Sequence, residues 1–116
     1  MNSVAARVFG VSPAVRYVAT TIDGHLELNE RGGLSGASSA ESDRYEELLV
    51  NPTLLTLLSQ RGNIDCGGLD YVLVRYGNFF QLVVRTPRGH VSVALEPGSD
   101  LALVQRVRAA IGRGVE

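Results

Sequence analysis

The chain has 116 residues, 45% of them apolar, with 12 acidic and 11 basic side chains and a net charge of −1. That is the size and apolar content of one domain; it excludes a strongly basic nucleic-acid binder, and no stretch reaches the ~18 consecutive apolar residues of a membrane span. A single cysteine, Cys66, excludes an internal disulfide and a cysteine-built zinc centre, and the absence of lysine excludes a phosphate-loop lysine, a Schiff base and a pyridoxal anchor.

Met1 to Arg7 lacks the long apolar core of a secretory leader, so the sequence predicts a cytoplasmic location. Basic residues drawn entirely from arginine fit a GC-rich bacterial genome. Residues 3–10 read as a short helix capped by Ser3 and ended by Gly10 and Ser12-Pro13. Val15 to Ile22 is rich in β-branched and aromatic residues and reads as a strand. Asp23-Gly24 is a turn signal, and His25 to Glu30 alternates with Leu26 and Leu28 on one face, which completes a β-hairpin. Residues 31–40, with three glycines and three serines, read as a flexible connection inside a single domain spanning 1–116.

Residues 41–60 carry Tyr45, Leu48, Leu49, Leu55 and Leu58 at helical spacing. Pro52 blocks one backbone bond, so a kink or two abutting helices are expected there, with Gly62 as the stop. Glu41, Asp43, Glu46 and Glu47 read as capping and solvated charges. Leu69 to Tyr76, Phe79 to Thr86 and His90 to Glu96 follow as three strands joined at Gly77-Asn78 and Pro87-Arg88-Gly89, an antiparallel meander. Ser99 reads as the cap of a last helix, with Asp100 in its first turn and Leu103, Val104, Val107 and Ile111 on one stripe. Arg113 closes its basic C-terminal half, and Gly112 and Gly114 end it. The predicted class is α+β: a five-stranded antiparallel sheet with flanking helices, in the order α-β-β-α-β-β-β-α.

Two patterns in these elements suggest a surface. Strand 69–76 is apolar on both faces and begins the meander, which predicts an exposed edge that pairing with a second copy would satisfy. The central helix carries more leucines than one core-facing stripe needs. Tyr76, Phe79 and Phe80 flank the Gly77-Asn78 turn as a candidate contact patch. Chemistry is harder to build. Cys66 has an adjacent acid, Asp65, which disfavours thiolate. His25 and His90 sit after turns with no third ligand in evidence, and read as histidines bonded to backbone. No cofactor, metal or enzymatic activity is expected.

The first hairpin, Val15-Arg16-Tyr17-Val18-Ala19-Thr20-Thr21-Ile22-Asp23-Gly24-His25-Leu26, and the later meander, Val74-Arg75-Tyr76-Gly77-Asn78-Phe79-Phe80-Gln81-Leu82-Val83-Val84 with Gly89 to Ala94, resemble the Roadblock family of dynein light-chain-like domains, over residues 4–112. The opening helix is shorter than is usual in that family. The resemblance implies a profilin-like fold and a non-catalytic homodimer or heterodimer that acts as a scaffold or as a regulatory partner of small Ras-like GTPases. It implies pairing through the central helix and third strand, which on this chain gives Tyr45, Leu48, Leu49, Leu55, Leu58, Tyr71, Leu73 and Arg75 as candidate interface residues. The alternative is a small-molecule sensor of the PAS or profilin-like type, which needs an internal apolar cavity.

Overall fold

The computed structural model describes residues 2–32 and 40–112. The glycine/serine connection between 33 and 39, and Arg113 and Gly114, lie outside the described residues.

Five strands form one antiparallel sheet: β1 (Val15–Ile22), β2 (His25–Glu30), β3 (Val72–Arg75), β4 (Phe80–Thr86) and β5 (Gly89–Leu95), in the spatial order β2-β1-β5-β4-β3. The hairpin turn matches its sequence signal, with Asp23 and Gly24 both at positive φ (50° and 82°), which suits the twist of the flanking strands. β5 inserts between the first hairpin and β4, so β2 and β3 are the two edges. The expected edge strand is therefore an edge, but shorter than the 69–76 read from sequence.

The helices are α1 (Ser3–Phe9), α2 (Ala40–Tyr45), α3 (Asn51–Asp65) and α4 (Leu101–Ile111), and α2 runs into α3 through a π-helical turn, Glu46–Val50. That turn is the break Pro52 foreshadows. Pro52 has no N–H to give the preceding turn, and the wider coil absorbs the mismatch. Asn51 N–H instead donates to the Glu46 carbonyl, and the Thr53 hydroxyl donates to the Leu49 carbonyl at 2.7 Å.

Gly62 does not stop the helix, which continues to Asp65. Its role is close approach. A Cβ there would meet the backbone of Gly68 and Leu69 at 3.1 Å, and Gly68 N–H returns to the Gly62 carbonyl at 3.0 Å.

Strand alternation divides the sheet into two unlike faces. One presents Val18, Leu82, Val84, Val91, Val93 and Leu95, all buried beneath α1 (Val4, Ala5, Val8) and α4 (Leu103, Val104, Val107, Ile111). That layer is the apolar core, and the α4 stripe read from sequence lies in it. The other face presents Tyr17, Ala19, Thr21, Gln81, His90, Ser92 and Ala94, covered in part by the central helix.

Both terminal helices are capped one residue from where the sequence suggests. Asn2, not Ser3, accepts from Ala5 N–H at 2.8 Å, and Asp100, not Ser99, accepts from Leu103 N–H at 2.9 Å. The Ser99 hydroxyl is buried with no partner among the described residues. Asp100→Ala is therefore expected to cost about 1 kcal/mol in urea unfolding, and Ser99→Ala close to nothing. Equal losses would overturn the assignment.

Candidate functional site: an inverted helix over a buried polar cluster

The central helix is inside out. At intervals of four, Asp43, Glu47, Asn51, Leu55 and Ser59 turn toward the sheet and are buried, with Gly62 following. Outward face Tyr45, Leu48, Leu49, Leu57 and Leu58, with Leu57 58% and Leu49 52% exposed. Helices that cover a sheet ordinarily do the reverse.

Glu47 anchors the underside. Its carboxylate has no exposure. Oε2 accepts from the Tyr17 hydroxyl at 2.7 Å and from Gln81 Nε2 at 3.4 Å; Oε1 accepts from Asn51 Nδ2 at 2.9 Å and contacts His90 Nε2 at 2.8 Å. Ser92 Oγ takes a further bond from Asn51 Nδ2 at 3.2 Å and one from Gln81 Nε2, and the Thr21 hydroxyl lies 3.5 Å from His90 Nε2. A buried carboxylate so placed gives its neighbouring donors a shared acceptor, while Asn51 Oδ1 is left buried with no partner among the described residues. Two expectations change here. Asp43 and Glu47 are not solvated charges, and His90 meets side chains, not backbone.

Burial first, and then the Glu47 charge beside it, holds the Tyr17 phenol far above its ordinary range. Tyr76 is pushed up to about 12 by burial and by its bond to Glu46. A phenol with a raised folded value contributes stability that is present below about pH 10 and lost as pH rises past it, because the unfolded chain ionises first. Tyrosinate absorbance in an alkaline titration should therefore show a component that appears only with unfolding and that Tyr17→Phe removes. A Tyr17 that ionises while the fold persists would contradict the buried placement.

The cluster resembles catalytic machinery only in composition. Glu47, His90, Tyr17 and Gln81 are sealed between helix and sheet. Cys66 is exposed at the end of α3, where its thiol donates to Asp65 Oδ1 at 3.4 Å, and His25 is exposed at the first hairpin. Among the described residues no three histidine, cysteine, aspartate or glutamate side chains gather as a metal site.

The candidate interface residues divide into four groups. Tyr45, Leu48, Leu49 and Leu58 share the outward face of the helix, and Leu57, which the sequence reading did not place in the interface, joins them. Leu55 is 4% exposed, turned inward against the chain's own sheet. Tyr71 and Leu73 pack on the α1/α4 side, where the Tyr71 hydroxyl accepts from Gln105 at 3.1 Å. Val72 and Val74, opposite Val83 and Gln81, are the β3 residues on the helix side. Arg75 is exposed at the end of β3, its guanidinium 4.9 Å from the centre of the Phe80 ring.

The aromatic trio splits as well. Phe80 packs into the apolar core and Phe79 against Tyr17 and Ala94, with the Tyr76 ring 5.3 Å from that of Phe79. Beside them an open cleft of about 410 Å³ runs between the start of the central helix and the 77–78 turn.

No family model and no curated protein matches the sequence. Solved structures do. A Roadblock/LC7 domain from Streptomyces avermitilis superposes with a TM-score of 0.71 at 14% identity, over 96% of this chain and 90% of that one. The gliding protein MglB from Thermus thermophilus gives 0.61 at 10% identity, over 97% and 91%. MglB in a tetrameric arrangement gives 0.65 at 11% identity, over 97% and 90%. The chain has the Roadblock/LC7 fold, as its hairpin and meander suggest. None of its described helices is long and apolar enough to cross a membrane.

Proposed function

We propose that this chain is a non-catalytic scaffold that pairs with a second copy of itself and regulates a signalling protein, first among them a small Ras-like GTPase. One observation carries the self-pairing: the central helix buries its polar side and exposes its leucines. Burying two or three such leucines against a partner would contribute roughly 1.5–3 kcal/mol each. The β3 edge adds unpaired backbone groups, and its half-buried Val72 and Val74 lie on the sheet face that the central helix covers. The fold supports the regulatory role, since one structure sharing it is named a gliding protein and another is MglB in a tetrameric arrangement. The GTPase follows from the family resemblance. The sealed Glu47 cluster and the Asp65-bonded Cys66 favour a role without catalysis, and basic residues drawn entirely from arginine favour a bacterial source. The cleft beside the 77–78 turn opens at the surface, unlike the enclosed cavity a PAS-type sensor needs.

Light scattering coupled to size-exclusion chromatography tests the pairing over a hundredfold concentration range. The natural chain is expected to run as a dimer and Leu57→Asp with Leu58→Asp as a monomer of unchanged circular dichroism. Both positions are exposed, so the variant spares the fold, whereas Leu73 packs on the core and makes a poor probe. A natural chain that stays monomeric throughout would end the proposal. Pull-down of purified Ras-like GTPases with the dimer then tests the partner.

A further inference from the structure

The cleft between the start of the central helix and the 77–78 turn carries two kinds of group on its walls. Tyr45 and Tyr76 line it with rings, and Glu46 lines it with a carboxylate. Aromatic faces beside carboxylates attract organic cations.

Glu46 narrows the class. Its Oε1 accepts from the Tyr76 hydroxyl at 2.7 Å, while Oε2 is shut off from water with no donor among the described residues. A carboxylate oxygen in that state is costly, and a positively charged donor relieves it. The terminal torsion of a glutamate is broad, so a small turn brings this oxygen toward the cleft that the residue lines. A quaternary ammonium has no N–H to give. A guanidinium does, and its flat fork also stacks on rings. The chain already sets a guanidinium against two residues that line this cleft: Arg16 lies 5.7 Å from the centre of the Phe79 ring and donates to the Asn78 carbonyl at 3.3 Å.

We propose that this cleft binds a guanidinium group, held by Glu46 and by the rings of Tyr45 and Tyr76. The group comes either as a small free molecule or as an arginine side chain of a partner protein.

Proton–nitrogen correlation spectra of the full chain, titrated with N-acetyl-arginine amide and with its neutral isostere N-acetyl-citrulline amide, provide the test. Saturable shifts at residues 45–46 and 76–79 are expected with arginine and not with citrulline. Glu46→Gln keeps an acceptor for the Tyr76 hydroxyl, so its spectrum should stay folded while affinity falls about tenfold or more. Tyr45→Ala should weaken binding about threefold. Saturation by the amide alone supports a small ligand. Saturation only by a peptide containing arginine supports a protein partner. Equal binding of citrulline, equal binding of N-acetyl-lysine amide, no response to amide or peptide, or unchanged affinity in Glu46→Gln would each overturn the proposal. It does not rest on self-pairing, which light scattering on the same samples reports separately.

Discussion

Glu47→Ala is expected to remove about 3–5 kcal/mol from the stability of the fold, since it takes the common acceptor from several buried donors at once. The reason lies in what stays behind. Without the carboxylate, Tyr17 Oη, Asn51 Nδ2, Gln81 Nε2 and His90 Nε2 lose their shared acceptor in a place water does not reach. The Tyr17 hydroxyl keeps Gln81 Oε1 at 3.1 Å, and Asn51 and Gln81 keep Ser92 Oγ, but each N–H left without its carboxylate carries a desolvation penalty. Small domains have about 5–15 kcal/mol in total, so a loss of this size brings the chain near the folding threshold. Glu47→Gln preserves the volume and one acceptor oxygen, and should lose less. Urea unfolding of both variants, followed by far-ultraviolet circular dichroism, measures the difference. A loss below about 1 kcal/mol for Glu47→Ala, within the range of an ordinary hydrogen bond, would show that the cluster is not the anchor of the helix.

Gly89→Ala should be comparably damaging for a steric reason. A Cβ at this position would run into the Thr21 carbonyl oxygen and lie 2.7 Å from its carbon. Both atoms belong to the backbone of β1, a central strand, so no flexible side chain can yield. Gly89 pairs with Ile22 on one side and Thr86 on the other, and its neighbour His90 enters the polar cluster. Relief therefore has to come from shifting β5 against β1. Overpacking of this kind costs about 1–3 kcal/mol and occasionally more, and backbone atoms on the receiving side put this case at the upper end. For a chain of this size that is a fall in melting temperature of about 10 °C or more. A melting temperature within a degree or two of the natural chain would mean the strands are more loosely apposed at this point.

The strands and turns were legible because their signals are local. Asp23-Gly24 between two β-rich runs carries the hairpin, the alternation from His90 to Leu95 carries β5, and the α4 stripe declares its own buried side. The caps slipped by one residue because Asn2-Ser3 and Ser99-Asp100 each place two good capping types side by side, and only backbone geometry chooses between them. The surplus of leucines on the central helix was visible, and so was the edge character of β3. The orientation of the helix was not. Leucine is read as the inward residue by default, so Leu55 was grouped with residues that turn out to face the opposite way. A usable signal was present in the repeat of Asp43, Glu47 and Asn51 at intervals of four, with Ser59 two turns further on, a polar stripe interrupted only by Leu55. It becomes a buried stripe only when the facing strands carry Tyr17, Gln81, His90 and Ser92, and that juxtaposition joins residues 30 to 43 apart in the chain. The same is true of β3, where alternation separates Tyr71 and Leu73 from Val72 and Val74 but does not say which pair lies under which helix.

The polar underside of the central helix also governs its rotation about its own axis. An oily contact is nearly indifferent to small turns, since one methyl group replaces another at little cost. Hydrogen bonds are directional, and a twist of a few tens of degrees would break Glu47 from Tyr17, His90 and Gln81 together. The cluster thus works as an indexing pin. It holds the helix at a single angular setting, and the bearing of every leucine on the far side is set by bonds that none of those leucines makes.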